Sequence, residues 1–334
     1  MQCPKCVALI PDEDLFCESC GSRVQAEPEA TMEAEAECPC TTGVVELDEE
    51  GFCLLCGRRV LRPAEDHIET ELSVHFAGVS DRGLHHHANE DRFSIGEQEG
   101  WRLAVVCDGV SSSPDADMAA AQASQAALAA MQTDLASQVP TLEALKNSVK
   151  AASDAVAALG WRRNEAPSTT IVAAAVSEKQ IGIAWVGDSR AYWIAGGQAH
   201  ALTADHSWLN LVVESGEMER GEAERSRKAH ALTRWLGLDS EPGDPDSVVR
   251  DIAGEGVLLL CSDGLWNYAT GDEEMSEVVR QSSENSATAL EMARQLVDYA
   301  IAQGGRDNIT AALIRRVATD ENSVEDAPSD SDEQ

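Results

Sequence analysis

Basic side chains are scarce in this chain of 334 residues: 25 Lys and Arg stand against 59 Asp and Glu, giving a formal net charge of −34. Binding to nucleic acid relies on Lys and Arg, so this shortage argues against a nucleic-acid partner. The chain also lacks an apolar run long enough to span a bilayer. The basic and apolar N-terminal pattern of a signal peptide is missing too. We therefore expect a cytoplasmic protein without a membrane partner.

Cysteine is rare after residue 56, where only Cys107 and Cys261 occur. The other eight form two groups, CPKC with CESCG and then CPC with CLLCG. Such spacing can place four thiolates around one zinc ion. A disulfide framework would need an oxidising compartment, and redox-active CxxC pairs would need a βαβ context. Both groups resemble zinc ribbons with structural zinc, bound by Cys3, Cys6, Cys17 and Cys20 and by Cys38, Cys40, Cys53 and Cys56.

The cysteine-containing module is acidic, with thirteen Asp or Glu against four Lys or Arg up to Val60. This charge favours a protein rather than a nucleic acid as the partner of the ribbons. The ribbons can instead serve only as a folding cap. The sequence leaves both interpretations open.

Carboxylates stand at the ends of apolar, strand-like runs in the rest of the chain. Asp108 follows LAVVC, Asp188 follows IAWVG, and Asp263 follows VLLLCS, while Asp307 in GGRDN precedes another apolar run. A single Asp-Gly pair is usually a turn. Four such carboxylates at one end of a sheet would repel one another unless a cation joined them. Oxygen ligands favour Mg²⁺ or Mn²⁺, so the pattern predicts a site for a hard divalent cation.

Eight motifs occur in an order that resembles the metal-dependent protein phosphatases of type 2C, in their bacterial branch. The resemblance covers roughly Leu72 to Val317. It implies an α+β fold, a four-layer α-β-β-α sandwich of two antiparallel sheets flanked by helices. The motifs are NEDR, VCDGVSS, STTIVAAAV, VGDSRAYW, LTADHSW, LTRWLG, CSDGLW and GGRDNIT.

The resemblance implies hydrolysis of phosphoserine and phosphothreonine in proteins by a hydroxide between two Mn²⁺ or Mg²⁺ ions, without a phosphoenzyme. Asp108 would bridge both ions and the Gly109 carbonyl would contact one, while Asp263 and Asp307 would ligate the other. Glu90 and Asp91 would act mostly through metal-bound water, and Asp188 would help to bind a third ion. The resemblance further implies a bacterial signalling role against a serine/threonine kinase. Cys107 and Cys261 are predicted to be core residues rather than nucleophiles, because no basic phosphate-binding loop surrounds them.

Three features depart from the family pattern. The family's phosphate-binding Arg, three residues before Asn89, is replaced by His86 in a run of three histidines. A protonated His86 can supply part of that charge, Arg82 or Arg92 can supply it instead, or the run is simply an exposed loop. DGVSS replaces the glycine-rich form of the second motif, so Val110 offers no proton. The segment 202–237, which resembles a flap, is rich in charged residues.

These observations are compatible with two functions, and they predict that the chain divides into six segments. The first function is an active phosphatase, and the alternative is a catalytically weak adaptor that binds phosphoproteins through the same fold. The presence of the predicted metal-binding aspartates favours the enzyme. The segments are a zinc ribbon at 1–25, an acidic linker at 26–37, a second ribbon-like unit at 38–61, a linker at 62–71, the phosphatase domain at 72–317 and a disordered acidic tail at 318–334.

Overall fold

A computed structural model of the chain describes residues 32–34, 45–47, 53–55, 66–163, 166–240, 243–284 and 286–317. The chain divides into two compact units, Met1–Arg62 and Pro63–Gln334. In the first unit, strand β1 (Met32–Ala34) pairs antiparallel with strand β2 (Val45–Leu47). Strand β1 thus lies in the segment predicted as an acidic linker.

Cys53 is the one member of the predicted zinc sites that lies among the described residues, and it is buried. The other seven cysteines lie outside them, as does the predicted acidic tail at 318–334. The zinc ribbons therefore stay a prediction.

The second unit contains two antiparallel sheets. One sheet has six strands in the order β10-β9-β12-β13-β4-β3, and the other has five in the order β11-β8-β7-β6-β5. The strands are β3 (His67–Ser73), β4 (Phe76–Asp81), β5 (Asp91–Gln98), β6 (Trp101–Asp108), β7 (Ile171–Val176), β8 (Gln180–Val186), β9 (Arg190–Ala195), β10 (Gln198–Ala201), β11 (Asp246–Asp251), β12 (Gly256–Cys261) and β13 (Ile309–Arg316).

Helices cover the outer faces of both sheets, which confirms the predicted four-layer α-β-β-α arrangement. The first two helices pack on the five-stranded sheet, and the last two pack on the six-stranded sheet. Three short helices lie in the connections between strands. The helices are α1 (Ala116–Ala136), α2 (Thr141–Arg163), α3 (Trp208–Glu214), α4 (Arg220–Ala223), α5 (Asp263–Trp266), α6 (Asp272–Glu284) and α7 (Ala289–Gln303).

Three apolar clusters correspond to the three interfaces between these layers. Central strands such as β7 and β12 are covered on both faces, which explains their continuous apolar sequences IVAAAV and GVLLLC. Alanine on α1 permits close packing against β5 and β6. Within the described residues, no helix is both long enough and apolar enough to cross a membrane.

Strand β3 begins at His67, inside the segment predicted as the 62–71 linker. Its sequence HIETELS is mostly polar because β3 is an edge strand with one neighbour, β4. An apolar run could not reveal such a strand.

Candidate active site

Five aspartates lie at one end of the sandwich. Each stands at the start or end of a strand, or in the connection beside it, so both sheets contribute to the same place. They are Asp91 at the start of β5, Asp108 at the end of β6, Asp188 between β8 and β9, Asp263 just after β12 and Asp307 just before β13.

Each sheet contributes one pair of these aspartates from two adjacent antiparallel strands. In the five-stranded sheet, Asp91 and Asp108 are direct cross-strand partners. In the six-stranded sheet, Asp263 and Asp307 flank the paired strands β12 and β13, whose register joins Cys261 to Ala311. Like charges directly opposite one another destabilise a sheet. The arrangement therefore serves a purpose other than stability.

Burial and mutual repulsion raise the pKa values of these carboxyl groups. Burial raises the pKa of Asp108 well above its usual range, and the charges of the other four aspartates add to the effect. Burial, with the charges of neighbouring aspartates, raises the pKa of Asp91 and of Asp263 to about 7. Among the ion pairs of the described residues, only His86 contacts a member of the five. The cluster thus lacks enough positive charge to balance it.

Asp91 is fully buried, and only one of its two carboxylate oxygens has a hydrogen-bond partner. Its Oδ2 accepts a hydrogen bond of 2.8 Å from the Thr310 hydroxyl. The Thr310 hydroxyl lies 2.7 Å from that of Ser80, which accepts a bond of 2.9 Å from Asn89 Nδ2. The donors therefore run from Asn89 through Ser80 and Thr310 to Asp91. The other oxygen, Oδ1, is a buried acceptor that a cation could satisfy.

The strand end that carries Asp108 is fixed by the STT motif. The Asp108 carbonyl accepts bonds from the Thr170 amide at 2.8 Å and from the Thr169 hydroxyl at 2.9 Å. Residue 109 must be glycine because a Cβ there would lie 2.7 Å from the Ala116 carbonyl oxygen and 2.8 Å from that of Glu90.

A buried network fixes the connection that carries Asp188. The Arg190 guanidinium binds both carboxylate oxygens of Asp205, at 2.8 and 2.6 Å, and lies 3.5 Å from the centre of the Trp266 ring. The Trp266 indole donates a bond of 2.9 Å to the Asp188 carbonyl. Arg190 thus helps to position Asp188, two residues before it in the chain.

The loop that carries the histidine run lies beside Asp307. His86 Nε2 is 3.1 Å from Asp307 Oδ1, and Asn308 binds the Arg82 and Ala88 carbonyls at 2.8 and 3.0 Å. The guanidinium of Arg82 binds the His86 carbonyl. The Arg92 guanidinium binds the backbone carbonyls of Asn89 and Asp91. Of the three candidate phosphate-binding residues, only His86 directs its side chain at the aspartate cluster.

Glu90 is placed differently from the aspartates. Its Oε2 accepts a bond of 2.6 Å from the Ser111 hydroxyl, in the DGVSS segment that departs from the family pattern. Glu90 is also only partly buried, whereas the adjacent Asp91 is fully buried. Glu90 therefore lies at the edge of the group.

The aspartates lie close enough to raise one another's pKa but are not drawn into a tight set of ligands. In the described ranges, no three His, Cys, Asp or Glu side chains form a group ready to hold a metal ion. The strand register nevertheless brings the aspartates of each sheet to the same end of the sandwich.

Cys107 and Cys261 are fully buried, as predicted for core residues. Burial raises the pKa of both thiols, and the charges of Asp91 and Asp108 raise that of Cys107 further. Neither is a thiolate at neutral pH, so neither can act as a nucleophile.

Several residues of the site had no role in the prediction. Ser80, Thr310, Asn308 and Ser111 hold the carboxylates or their loops, yet each is a small polar residue without a distinctive spacing. Ser111 lies within the motif VCDGVSS, and Asn308 and Thr310 lie within GGRDNIT, but their residue types alone indicate no role.

A family profile described as Protein phosphatase 2C matches residues 74–309, which is more than half of the chain. The chain belongs to the protein phosphatase 2C family. It is 30% identical over 254 residues to a serine/threonine phosphatase stp of Listeria innocua, covering 73% of this chain and 96% of that one.

Solved structures of the family share its fold. Serine/threonine phosphatase Stp1 from Staphylococcus aureus matches with a TM-score of 0.63 and 26% identity, over 75% of this chain and 98% of that chain. The catalytic domain of the phosphatase PstP in complex with two manganese ions matches with a TM-score of 0.58 and 28% identity, over 73% and 98%. This protein phosphatase 2C is thus a serine/threonine phosphatase.

Proposed function

We propose that the chain hydrolyses phosphoserine and phosphothreonine in proteins with two Mn²⁺ or Mg²⁺ ions, without a phosphoenzyme. The observation that carries this proposal is the aspartate cluster, in which two sheets bring five carboxylates together without compensating charge. The orphaned Oδ1 of buried Asp91 fits a cation in particular. An all-oxygen donor set suits Mn²⁺ and Mg²⁺.

The assignment of ligands follows the position of each group. Asp108 would be shared between two ions, with the Gly109 carbonyl beside it, because its carboxyl group feels the charges of all the other four. Asp263 and Asp307 would hold the ion on the side of the six-stranded sheet. Asp188 lies close enough to Asp263 for their charges to interact, which supports the prediction of a further, weaker site there. Asp91 and Glu90 would complete the set.

Bound cations of this kind lower the pKa of water and neutralise phosphate oxygens as charge develops during attack. The chain's own side chains bind and position. Arg190 keeps the Asp188 connection in place through Trp266, and Asn308 fixes the loop of residues 82–90. His86 would contact a substrate phosphate from its position beside Asp307. The two core thiols are buried, so neither of them offers a route to a covalent intermediate.

The alternative is an adaptor that binds phosphoproteins with little catalysis. His86 and the DGVSS segment favour it, because both depart from the family pattern. Complete retention of the five aspartates favours the enzyme. The zinc ribbons, a protein partner for them, an opposing kinase and a cytoplasmic location belong to the same proposal, and they rest on the sequence alone.

Phosphate release from a phosphothreonine peptide tests the proposal on the full chain, with Mn²⁺, Mg²⁺ or a chelator. We expect release with either cation and none with the chelator. Asp263→Asn should lower kcat/KM by at least about 100-fold, since it removes a ligand rather than a residue that merely orients one. Asp154→Asn, on the exposed face of α2, is the matched control and should behave as the wild type.

Manganese binding followed by calorimetry gives a readout that does not depend on turnover. The wild type should bind Mn²⁺ and Asp263→Asn should bind it more weakly. Binding without phosphate release would favour the adaptor. Folded protein that neither binds Mn²⁺ nor releases phosphate would refute the metal site.

A further inference from the structure

A cavity of about 230 Å³ lies between the two sheets, on the side where β10 and β11 are the edge strands. Its walls are apolar side chains that belong to, or pack against, the core between the sheets. These are Ile181, Ile183, Trp193, Leu202, Val248 and Ile252.

The cavity is separate from the aspartate cluster. Ile181 and Ile183 lie within the first four residues of β8, whereas Asp188 stands two residues beyond the end of that strand. Two of its lining residues, Trp193 and Leu202, belong to the motifs VGDSRAYW and LTADHSW, but neither is one of the predicted metal ligands. Neither the proposed reaction nor its ligands make use of it.

Two basic residues line the cavity, one from each sheet. Side chains alternate along a strand, so Arg250 shares the inward face of β11 with Val248, and the inward-facing Ile252 follows it two residues later. On β10, His200 likewise shares the face of Leu202. Both basic residues are exposed and border the cavity.

The opposite face of β11 points to helix α2. Val249 lies within 3.5 Å of the point where a Cβ on Gly182 would stand, and Leu145 and Thr141 of α2 approach the same point. Asp251 has the same parity as Val249, so its side chain belongs to this outer face, although the residue borders the cavity. The inward face therefore carries Arg250 without an acidic neighbour on its own strand.

The side chain of Arg250 makes no hydrogen bond or ion pair with any of the residues that the structure describes, although its backbone belongs to the β11–β8 ladder. Arg190, Arg280 and Arg294, by contrast, pair with carboxylates. An arginine side chain at the mouth of an apolar cavity can interact in two ways. Its stem can cover apolar surface, or its guanidinium can bind an anion that enters.

We propose that this cavity binds a small amphipathic anion, with its apolar body between the sheets and its carboxylate between Arg250 and His200. An apolar cavity of about 150 Å³ is sufficient to hold benzene, so this one has room for a ring with a short chain or for a medium-length acyl chain. Such pockets combine apolar walls with a few convergent polar groups, as here. The guanidinium offers a carboxylate two parallel hydrogen bonds.

Calorimetric titration of the full chain with octanoate tests this proposal. We expect saturable binding of one octanoate, at least about tenfold weaker binding of octylamine, and no binding of acetate. Arg250→Gln should weaken octanoate binding by about tenfold or more, since a hydrogen bond to a charged group is lost. Arg280→Gln, an exposed arginine on α6, is the control and should bind as the wild type.

Val248→Trp places a large ring in the cavity and should abolish binding, provided that circular dichroism shows the wild-type fold. Arg250→Gln keeps the test decisive if Val248→Trp does not fold, because Arg250 is exposed and unpaired among the described residues. Equal affinity for octanoate and octylamine, unchanged affinity in Arg250→Gln, or the absence of saturable binding would each overturn the proposal. Asp263→Asn should bind octanoate as the wild type, which separates this site from the phosphatase reaction.

Discussion

Each of the two sheets supplies a pair of aspartates to the site, but the pairs differ in how far their side chains are buried. The five-stranded sheet contributes the Asp91 and Asp108 pair, in which Asp91 is 0% exposed. The six-stranded sheet contributes Asp263 and Asp307, in which the side chain of Asp307 is 42% exposed and has His86 as a neighbour. The comparison separates two uses of a carboxylate. A buried carboxylate without a counter-charge destabilises the folded protein, and a bound cation can remove that destabilisation. An exposed carboxylate can instead exchange hydrogen-bond partners with water and substrate.

Asp91→Asn and Asp307→Asn should separate the two pairs most clearly. In the cation-free protein at pH 7.5, Asp91→Asn should raise the melting temperature by several degrees, at about 2–4 °C for each kcal/mol in a domain of this size. Asp307→Asn should change it little, because the side chain is half-exposed. Both variants should lose phosphatase activity. Melting in a chelator, beside phosphate release with Mn²⁺, measures both effects.

The effect of Asp91→Asn should depend on pH. The native pKa of Asp91, about 7, lies above the ordinary carboxyl value of 3.8. The native state therefore binds the proton more tightly than the unfolded state, and its stability falls as the pH rises from about 4 through 7. The gain in Asp91→Asn should disappear at pH 4. A gain of equal size at both pH values would show that packing, not charge, is responsible.

Thr310→Val tests the hydroxyl that joins the sheets. Thr310 belongs to the six-stranded sheet, yet it donates to Asp91 of the five-stranded sheet. Its removal should lower the free energy of unfolding by about 1–3 kcal/mol. It should also weaken Mn²⁺ binding by about 10- to 100-fold. Thr133→Val, on the exposed side of α1, is the control, and equal losses in both would refute a special role for Thr310.

His86→Ala tests the contact between His86 and the partly exposed Asp307. If His86 binds the substrate phosphate from its position beside Asp307, the variant should raise KM for a phosphothreonine peptide by about tenfold with little change in kcat. His86→Arg should restore KM or lower it below the wild-type value, since guanidinium binds phosphate with two hydrogen bonds. An unchanged KM in both variants would support the interpretation of the run as an exposed loop.

His67→Gln has the smallest expected effect. It removes a histidine that is hydrogen-bonded to the carboxylates of Glu69 and Asp81, outside the aspartate cluster. Burial lowers the pKa of His67, but hydrogen bonds to Glu69 and Asp81 and the charges of these residues more than offset it, so the pKa is raised. The stabilisation is complete below about pH 6.5 and is lost as the pH rises through the raised native pKa.

For this partly exposed group we expect His67→Gln to cost about 0.2–1 kcal/mol at pH 6 and less at pH 8.5. Urea unfolding at the two pH values measures it. A cost that is independent of pH would assign the effect to packing.

The central strands and the main helices could be predicted from apolar runs and helical periodicity, since β6, β8, β12 and β13 are covered on both faces. The edge strands could not. HIETELS in β3 and DSVVRD in β11 each pair with one neighbour, and the helix α6 begins with three acidic residues that hide its apolar stripe. Local sequence does not report which side of an edge strand is covered.

In the site, aspartates at strand ends could be found because a carboxylate after an apolar run is conspicuous. Thr310 and Ser80 could not, because their role depends on a contact 230 residues apart in the chain. His86 was a candidate from its position, but its proximity to Asp307 depends on how Asn308 fixes the loop. Such contacts belong to the tertiary structure alone.

The donor chain from Asn89 to Asp91 has a mechanical consequence. Its links belong to both sheets, so the distance between the two carboxylate pairs is tied to the spacing of the sheets themselves. A change in the spacing of the sheets would therefore change the distance between the two carboxylate pairs. A substitution that changes the side-chain volume deep in the core between the sheets should therefore change the affinity for the cation, although no ligand has been altered.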